Sequence, residues 1–97
     1  MTDAIRVDKW LWHARVFKTR NLATKFVLSG RLRVNGVRVR KASHGVSCGD
    51  VLTFSLGGRV RVLEIAGLGE RRGPAAEAAL LVHDRSPREA GPRQPGG

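Results

Sequence analysis

The stretch "RLRVNGVRVR", residues 31–40, predicts a β-hairpin. Asn-Gly in its middle is the strongest two-residue hairpin turn, and the residues on both sides alternate between aliphatic and basic. In this register every aliphatic residue faces an aliphatic residue and every arginine faces an arginine. The facing pairs are Val34 with Val37, Arg33 with Arg38, Leu32 with Val39, and Arg31 with Arg40. Because like charges directly opposite each other destabilise a strand pair, the arginine face requires a compensating partner.

A nucleic-acid backbone is a suitable partner for this arginine face. Guanidinium groups bind phosphate oxygens in pairs, and a nucleic acid supplies phosphates at regular intervals. The alternative is a solvated face whose arginine stems cover apolar surface. No acid intervenes on these strands, which favours binding. We expect the opposite, aliphatic face to anchor the strands to the helices; it consists of Leu32, Val34, Val37 and Val39.

The positive charge of the chain is confined to about one third of the sequence. The formal net charge of the 97 residues is +10. Residues 6–41 contain seven arginines and four lysines but a single acid, Asp8, whereas the remaining residues contain seven arginines and seven acids. Solubility does not require such segregation, so the distribution indicates a surface that binds a polyanion.

Length and composition exclude several classes of protein. A chain of 97 residues has room for one small domain. It contains no apolar run that could span a bilayer and no secretory signal, so we expect a cytoplasmic protein without a membrane partner. Cys48 has no second cysteine to pair with and should fill a small buried or half-buried space. Since the sequence lacks catalytic triads, paired carboxylates, phosphate-binding glycine loops and metal-ligand spacing, we expect no enzyme activity, no cofactor and no metal.

The segment before the hairpin predicts two amphipathic helices. The first covers "VDKWLWHARVF", residues 7–17, with Asp8 as its cap and Trp10 on its apolar face. Asp8, Trp12 and Arg15 fall on the opposite face, where Trp12 either stacks on a base or is covered by the later chain.

The second helix should begin after Thr19, its expected N-cap, and end at Gly30. Its buried stripe is predicted to contain Leu22, Ala23, Phe26 and Val27, and its outward residues Arg20, Asn21, Thr24 and Lys25.

The segment after the hairpin predicts two further strands, Val51 to Leu56 and Arg59 to Ile65, joined by a Gly-Gly turn. "AAEAALLV" then predicts one or two helical turns or a loosely packed arm. From Ser86 onward, proline and glycine without apolar periodicity predict disorder. The expected fold is therefore α+β, with two N-terminal helices packed on a small antiparallel sheet of four or five strands.

Together with the hairpin, the motifs "DKWLW", "KTR" and "RRGPAAEAALL" give residues 5–84 a resemblance to the S4 RNA-binding domain and, within it, to the heat shock protein 15 family. The Asn-Gly hairpin and the first helix are common to many S4 domains. "DKWLW" at residues 8–12, "KTR" at 18–20 and "RRGPAAEAALL" at 71–81 are far more specific to the family. The resemblance implies the L-shaped S4 motif, in which the two helices pack on a strongly bent antiparallel sheet. It also implies the following division of the chain: an S4 domain at 5–67, a family-like arm at 68–84 and a disordered tail at 85–97.

The resemblance further implies a protein without enzyme activity that binds the large ribosomal subunit, particularly one that carries a peptidyl-tRNA after stalled translation. Its partners would be ribosomal RNA and tRNA. Family members continue into a long basic C-terminal helix, whereas this sequence ends in "SPREAGPRQPGG", so we expect weaker binding or only partial occupation of the ribosomal site. The lack of a spare apolar face favours a monomer. By their positions in the matching motifs, the residues that the resemblance implies to face RNA are Lys9, Arg15, Lys18, Thr19, Arg20, Lys25, Arg31, Arg33, Asn35, Arg38 and Lys41.

A helix-turn-helix DNA-binding protein, or a general nucleic-acid binder, is the alternative interpretation. The second helix would then read the major groove of duplex DNA through its outward residues. The hairpin arginines would have no role in that arrangement, which favours RNA.

Overall fold

Apart from the two-residue strand β1, the two N-terminal helices precede the strands along the chain, in the predicted order. The computed structural model describes residues 3–87. Its elements are β1 Ile5–Arg6, α1 Val7–His13, α2 Arg20–Leu28, β2 Leu32–Val34, β3 Val37–Val39, β4 Gly45–Val46, β5 Val51–Leu56, β6 Arg59–Ile65, α3 Ala75–Ala79 and β7 Val82–Asp84. Helices combined with antiparallel strands confirm the α+β fold.

The hairpin is the edge of a larger sheet. Within residues 3–87, five strands form an antiparallel sheet in the order β3-β2-β5-β6-β7, and β1 pairs with β4 separately. The predicted register is confirmed, with Arg33 opposite Arg38. Asn35 and Gly36 have φ angles of 52° and 83°, the left-handed conformations that a type I′ turn requires. The short strands β1, β4 and β7 were not predicted, because they are held by pairing with distant segments rather than by local pattern.

The core lies between the two N-terminal helices and one face of the sheet. The prediction that Trp10 is buried is confirmed, since its side chain is fully inaccessible. Three of the four predicted stripe residues of α2 are buried, and the aliphatic face of the hairpin contributes three more. The largest of the buried residues are Trp10, Leu11, Phe26, Leu32, Leu52, Phe54, Leu63 and Ile65.

Three small or apolar side chains expected in the interior lie at the surface instead. Leu22 is 47% exposed, Val37 is 67% exposed, and Cys48 is exposed. Leu22 lies beside an open depression, Val37 begins the edge strand β3, and Cys48 lies in the turn before β5. Each lies at the margin of the core. The apolar pattern of the sequence therefore includes residues that no neighbouring element covers in the folded protein.

The first helix is shorter and more enclosed than predicted. It ends at His13, and Arg15 has a left-handed φ of 61°, which does not continue an α-helix. The predicted cap is wrong: the N-cap is Arg6, and Asp8 is buried within the first turn. His13 is also buried, because the chain after β6 covers this side of the helix. Trp12 is half-buried, with its ring 5.7 Å from that of His13.

Side chains of α1 hold the segment that follows β6. The indole N–H of Trp10 donates to the carbonyl of Gly67 at 2.8 Å, and Nδ1 of His13 lies 3.1 Å from the carbonyl oxygen of Leu68. Arg15 Nε donates to the carbonyl of Gly73 at 2.8 Å. These contacts position α3 and the strand β7 that follows it, and β7 pairs with β6. α3 confirms the helical turns predicted for "AAEAALLV".

The residues just after β7 also bond to the sheet. The N–H of Arg85 donates to the carbonyl of Val62 at 2.7 Å, and the N–H of Val62 donates to the Ser86 hydroxyl at 2.9 Å. These two residues begin the segment for which disorder was predicted. The rest of that prediction, for residues 88–97, lies outside the described residues.

Candidate nucleic-acid interface

Exposed cations from α2, the hairpin and the residues next to it line three adjoining open depressions. Neighbouring depressions share an arginine, so the cations form one continuous band. Among the described residues, no acid lines any of the three depressions. We call this band the basic surface; it consists of Lys25 and Arg31 in the first depression, Arg31, Arg33 and Arg38 in the second, and Arg38, Arg40 and Lys41 in the third.

The second depression contains the arginines that face each other across the hairpin. Arg33 and Arg38 are cross-strand partners, and both are exposed. Thr53 of β5 is the neighbour of Arg33 on the other side. The contact from Arg33 Nη1 to the carbonyl of Gly36 is long, at 3.5 Å. Because that contact is weak, the guanidinium group of Arg33 retains donors for a phosphate.

Arg31 connects the hairpin with α2. Its guanidinium carbon lies 4.9 Å from the centre of the Phe26 ring, and its Nε donates to the Ser29 hydroxyl at 3.1 Å. β2 begins after Arg31 and β3 ends before Arg40, so the strands themselves contain one arginine pair rather than two. The four arginines predicted to form one face therefore line all three depressions: Arg31 the first and second, Arg33 the second, Arg38 the second and third, and Arg40 the third.

Asp8, the single acid of residues 6–41, lies in the first turn of α1 and is buried against α2. Arg6 donates to both of its carboxylate oxygens at 3.1 Å, Thr24 Oγ1 donates to Oδ2 at 2.8 Å, and Arg20 Nε lies 3.9 Å from Oδ2. Burial raises the pKa of Asp8, but the hydrogen bonds from Arg6 and Thr24 and the charges of Arg6 and Arg20 outweigh that effect and lower the pKa below its ordinary value. Asp8 thus joins α1 to α2 without reducing the charge of the basic surface.

The remaining predicted RNA-facing residues differ in how free their side chains are. Lys18 is exposed, and Lys9 is half-buried on α1. Thr19 is confirmed as the N-cap of α2, since its hydroxyl oxygen accepts the N–H of Leu22 at 3.1 Å. Arg20 is engaged by Asp8, as described above.

Asn35 serves the turn of the hairpin. Its side-chain N–H donates to Asp50 Oδ1 at 3.2 Å, and its side-chain oxygen accepts the N–H of Val51 at 3.0 Å. These bonds join the hairpin tip to the start of β5. Its main contacts are therefore within the fold.

Sequence reasoning missed two kinds of residue in the basic surface. Arg40 was recognised as part of the hairpin but not as an RNA-facing residue, although its place in the charge pattern was visible. Phe17, Leu22 and Leu56 line the first depression, and they come from three separate segments. No sequence signal links these three, because only tertiary packing brings them together.

We expect Arg15→Ala to loosen the arm rather than the interface. The substitution removes a hydrogen bond from a charged donor to Gly73, which should cost about 1–2 kcal/mol. Hydrogen exchange should accelerate in α3 and β7, while RNA affinity changes less than about twofold. Arg15→Gly, which relieves the left-handed strain, should be less destabilising. A loss of RNA affinity as large as that from a basic-surface arginine would contradict this assignment.

Comparisons with known proteins agree with the fold and the charge pattern. Residues 5–52 match the model of the S4 domain family. The chain is 41% identical over 80 residues to heat shock protein 15 of Escherichia coli K12, covering 82% of this chain and 59% of that protein. It is 38% identical over 66 residues to the RQC P-site tRNA stabilizing factor of Halalkalibacterium halodurans, covering 68% of this chain and 74% of that factor.

A solved structure is similar over most of the chain. Heat shock protein 15 of Vibrio cholerae, described as trimeric, matches with a TM-score of 0.78 and 36% identity, covering 84% of this chain and 82% of that one. The chain spans about three fifths of the length of its E. coli relative. The described residues contain no helix with the length and hydropathy needed to cross a membrane.

Proposed function

Because this chain belongs to the heat shock protein 15 family of S4-domain proteins, we propose that it binds structured RNA and associates with the large ribosomal subunit. The observation that carries the proposal is the basic surface, a continuous band of exposed cations without an acid among the described residues. Such a band binds phosphates at several points along a folded RNA. Structured RNA is recognised largely by shape and by backbone contacts, which this surface can make.

The names of the relatives support a more specific form of the proposal. One group consists of heat shock proteins and another stabilises a P-site tRNA, as its name states. The subunit that this protein binds would accordingly carry a peptidyl-tRNA after stalled translation, in the cytoplasm. Binding rather than catalysis would be its role. The monomer expected from the sequence stays a prediction beside the trimeric relative.

The RNA-facing set proposed from the sequence has the basic surface as its centre. Lys18 and Thr19 would extend it at the start of α2, and Lys9 would add a cation on α1. Arg15, Arg20 and Asn35 would contribute mainly through their contacts within the fold.

Subunit binding provides the first test. The purified protein should co-sediment with large but not small ribosomal subunits. It should bind a ribosomal RNA fragment more tightly than a random DNA duplex of equal length at about 150 mM salt, with a steep salt dependence. Equal affinity for the two nucleic acids would contradict the proposal and favour the general binder. Crosslinking in cells with sequencing of the bound RNA would then identify the element contacted.

The helix-turn-helix alternative is less well supported by the geometry. Arg20 and Thr24 are two of the four outward residues of α2 that would read a major groove, and both are engaged by the buried Asp8. In that arrangement the hairpin arginines would also have no partner.

A further inference from the structure

The first depression of the basic surface combines apolar walls with two cations. Its walls are formed by Phe17, Leu22, Phe26 and Leu56 together with Lys25 and Arg31. Leu22 is 47% exposed although it belongs to the apolar pattern of α2. Its side chain therefore presents apolar surface in the middle of a basic region.

Aromatic and guanidinium groups lie close together at this depression. The Phe17 and Phe26 ring centres are 5.2 Å apart, and the Arg31 guanidinium carbon lies 4.9 Å from the centre of the Phe26 ring. Phe26 itself is only 4% exposed and lies under the Arg31 guanidinium group, so the half-buried Phe17 ring and the Arg31 guanidinium group are the flat surfaces open to a base. Nucleobases stack on such groups in proteins that bind unpaired nucleotides.

We propose that this depression binds one unpaired base of the RNA, with the adjacent phosphates on Lys25 and Arg31. The inference rests on the proposed function and deepens it, since it adds a base to what is otherwise a backbone contact. A base paired within a helix cannot reach such a site, whereas a bulged or loop base can be splayed out of the stack. Charge complementarity selects a nucleotide over an apolar peptide, because among the described residues no acid lines the depression and two cations do.

The test uses two hairpin RNAs that are identical except for a single bulged purine. Leu22→Gln removes the apolar contact but keeps the charge and a similar helix propensity. Leu28→Gln is the matched control, because Leu28 lies on the same helix, is 60% exposed and does not line the depression. Wild type and Leu28→Gln should prefer the bulged RNA by about five- to tenfold, and Leu22→Gln should lose that preference.

A fluorescent base gives a second readout of the same contact. With 2-aminopurine at the bulge, the emission should change on binding to wild type and Leu28→Gln but not to Leu22→Gln. The salt slope should be equal for all three proteins, since no charge is altered. The inference is overturned if wild type binds both RNAs equally, or if the two variants lose the same affinity. Those outcomes leave binding to structured RNA intact, whereas failure of the proposed function would appear as no preference of wild type for ribosomal RNA over the DNA duplex.

Discussion

Replacing Arg33 and Arg38 together by alanine should lower the affinity for structured RNA by about a hundredfold, or about tenfold for each arginine. Both guanidinium groups are exposed in one depression, where they can donate to phosphates. The slope of log affinity against log salt concentration should decrease by about two, one for each phosphate that is no longer bound. Titrations of ribosomal RNA at several salt concentrations measure both quantities.

Folding stability should respond in the opposite direction. Arg33 and Arg38 are opposed like charges, so their removal should leave the free energy of unfolding unchanged or raise it by about 0.2–1 kcal/mol. Arg71→Ala with Arg85→Ala is the matched control, because it removes two exposed arginines that are paired with Glu77 and Glu64. This control should change RNA affinity by about twofold or less. If the Arg33 and Arg38 variant unfolds instead, the pair is structural and the interface is assigned wrongly.

Among single substitutions of charged residues in the segment 6–41, Asp8→Ala should be the most destabilising. It should lower the free energy of unfolding by about 2–4 kcal/mol. The carboxylate is 1% exposed and accepts hydrogen bonds from Arg6 and Thr24. Its removal takes the acceptor away from Arg6 and the opposite charge away from Arg20, leaves Thr24 Oγ1 with the Arg20 carbonyl as its acceptor, and opens a space between α1 and α2. Urea denaturation measures the loss. Glu77→Ala is the control, since its exposed ion pair with Arg71 should contribute about 1 kcal/mol or less.

The Asp8 carboxylate should also make the free energy of unfolding of the wild-type protein depend on pH in the acid range. Its folded-state pKa lies below the ordinary value of 3.8, so the folded state binds the proton less readily than the unfolded chain does. The stabilisation is therefore complete above about pH 4 and is lost as the pH falls through the folded-state pKa. Asp8→Ala should show a smaller decrease in unfolding free energy below about pH 4 than wild type. Parallel curves for the two proteins would contradict the assigned role of Asp8.

The elements with strong local signals were predictable from the sequence. The Asn-Gly turn set the register of the hairpin, and the Gly-Gly turn set the bounds of β5 and β6. Thr19 and Gly30 marked the two ends of α2, because a side-chain cap and a left-handed glycine act over a few residues only. The position of the cations along the chain likewise indicated where exposed cations would gather in the fold.

The burial of Asp8 and the exposure of Leu22 and Val37 could not be predicted from the sequence. Periodicity indicates which side of a helix or strand is apolar, but not how far the neighbouring element that covers this side extends. In the sequence, Asp8 has the position of a helix cap. In the folded protein, α2 brings Arg20 and Thr24 into contact with it. Leu22 and Val37 follow the apolar pattern but lie at the margin of the core.

The hairpin, the order of the main elements and the segregation of charge follow from the sequence, since each depends on residues close together in the chain. Which cations are exposed and which are held by contacts within the fold follows from tertiary packing alone. The same packing brings Phe17, Leu22, Leu56 and Arg31 around one depression. These outcomes depend on contacts between distant segments, whose geometry is set by packing of the whole core rather than by any local pattern.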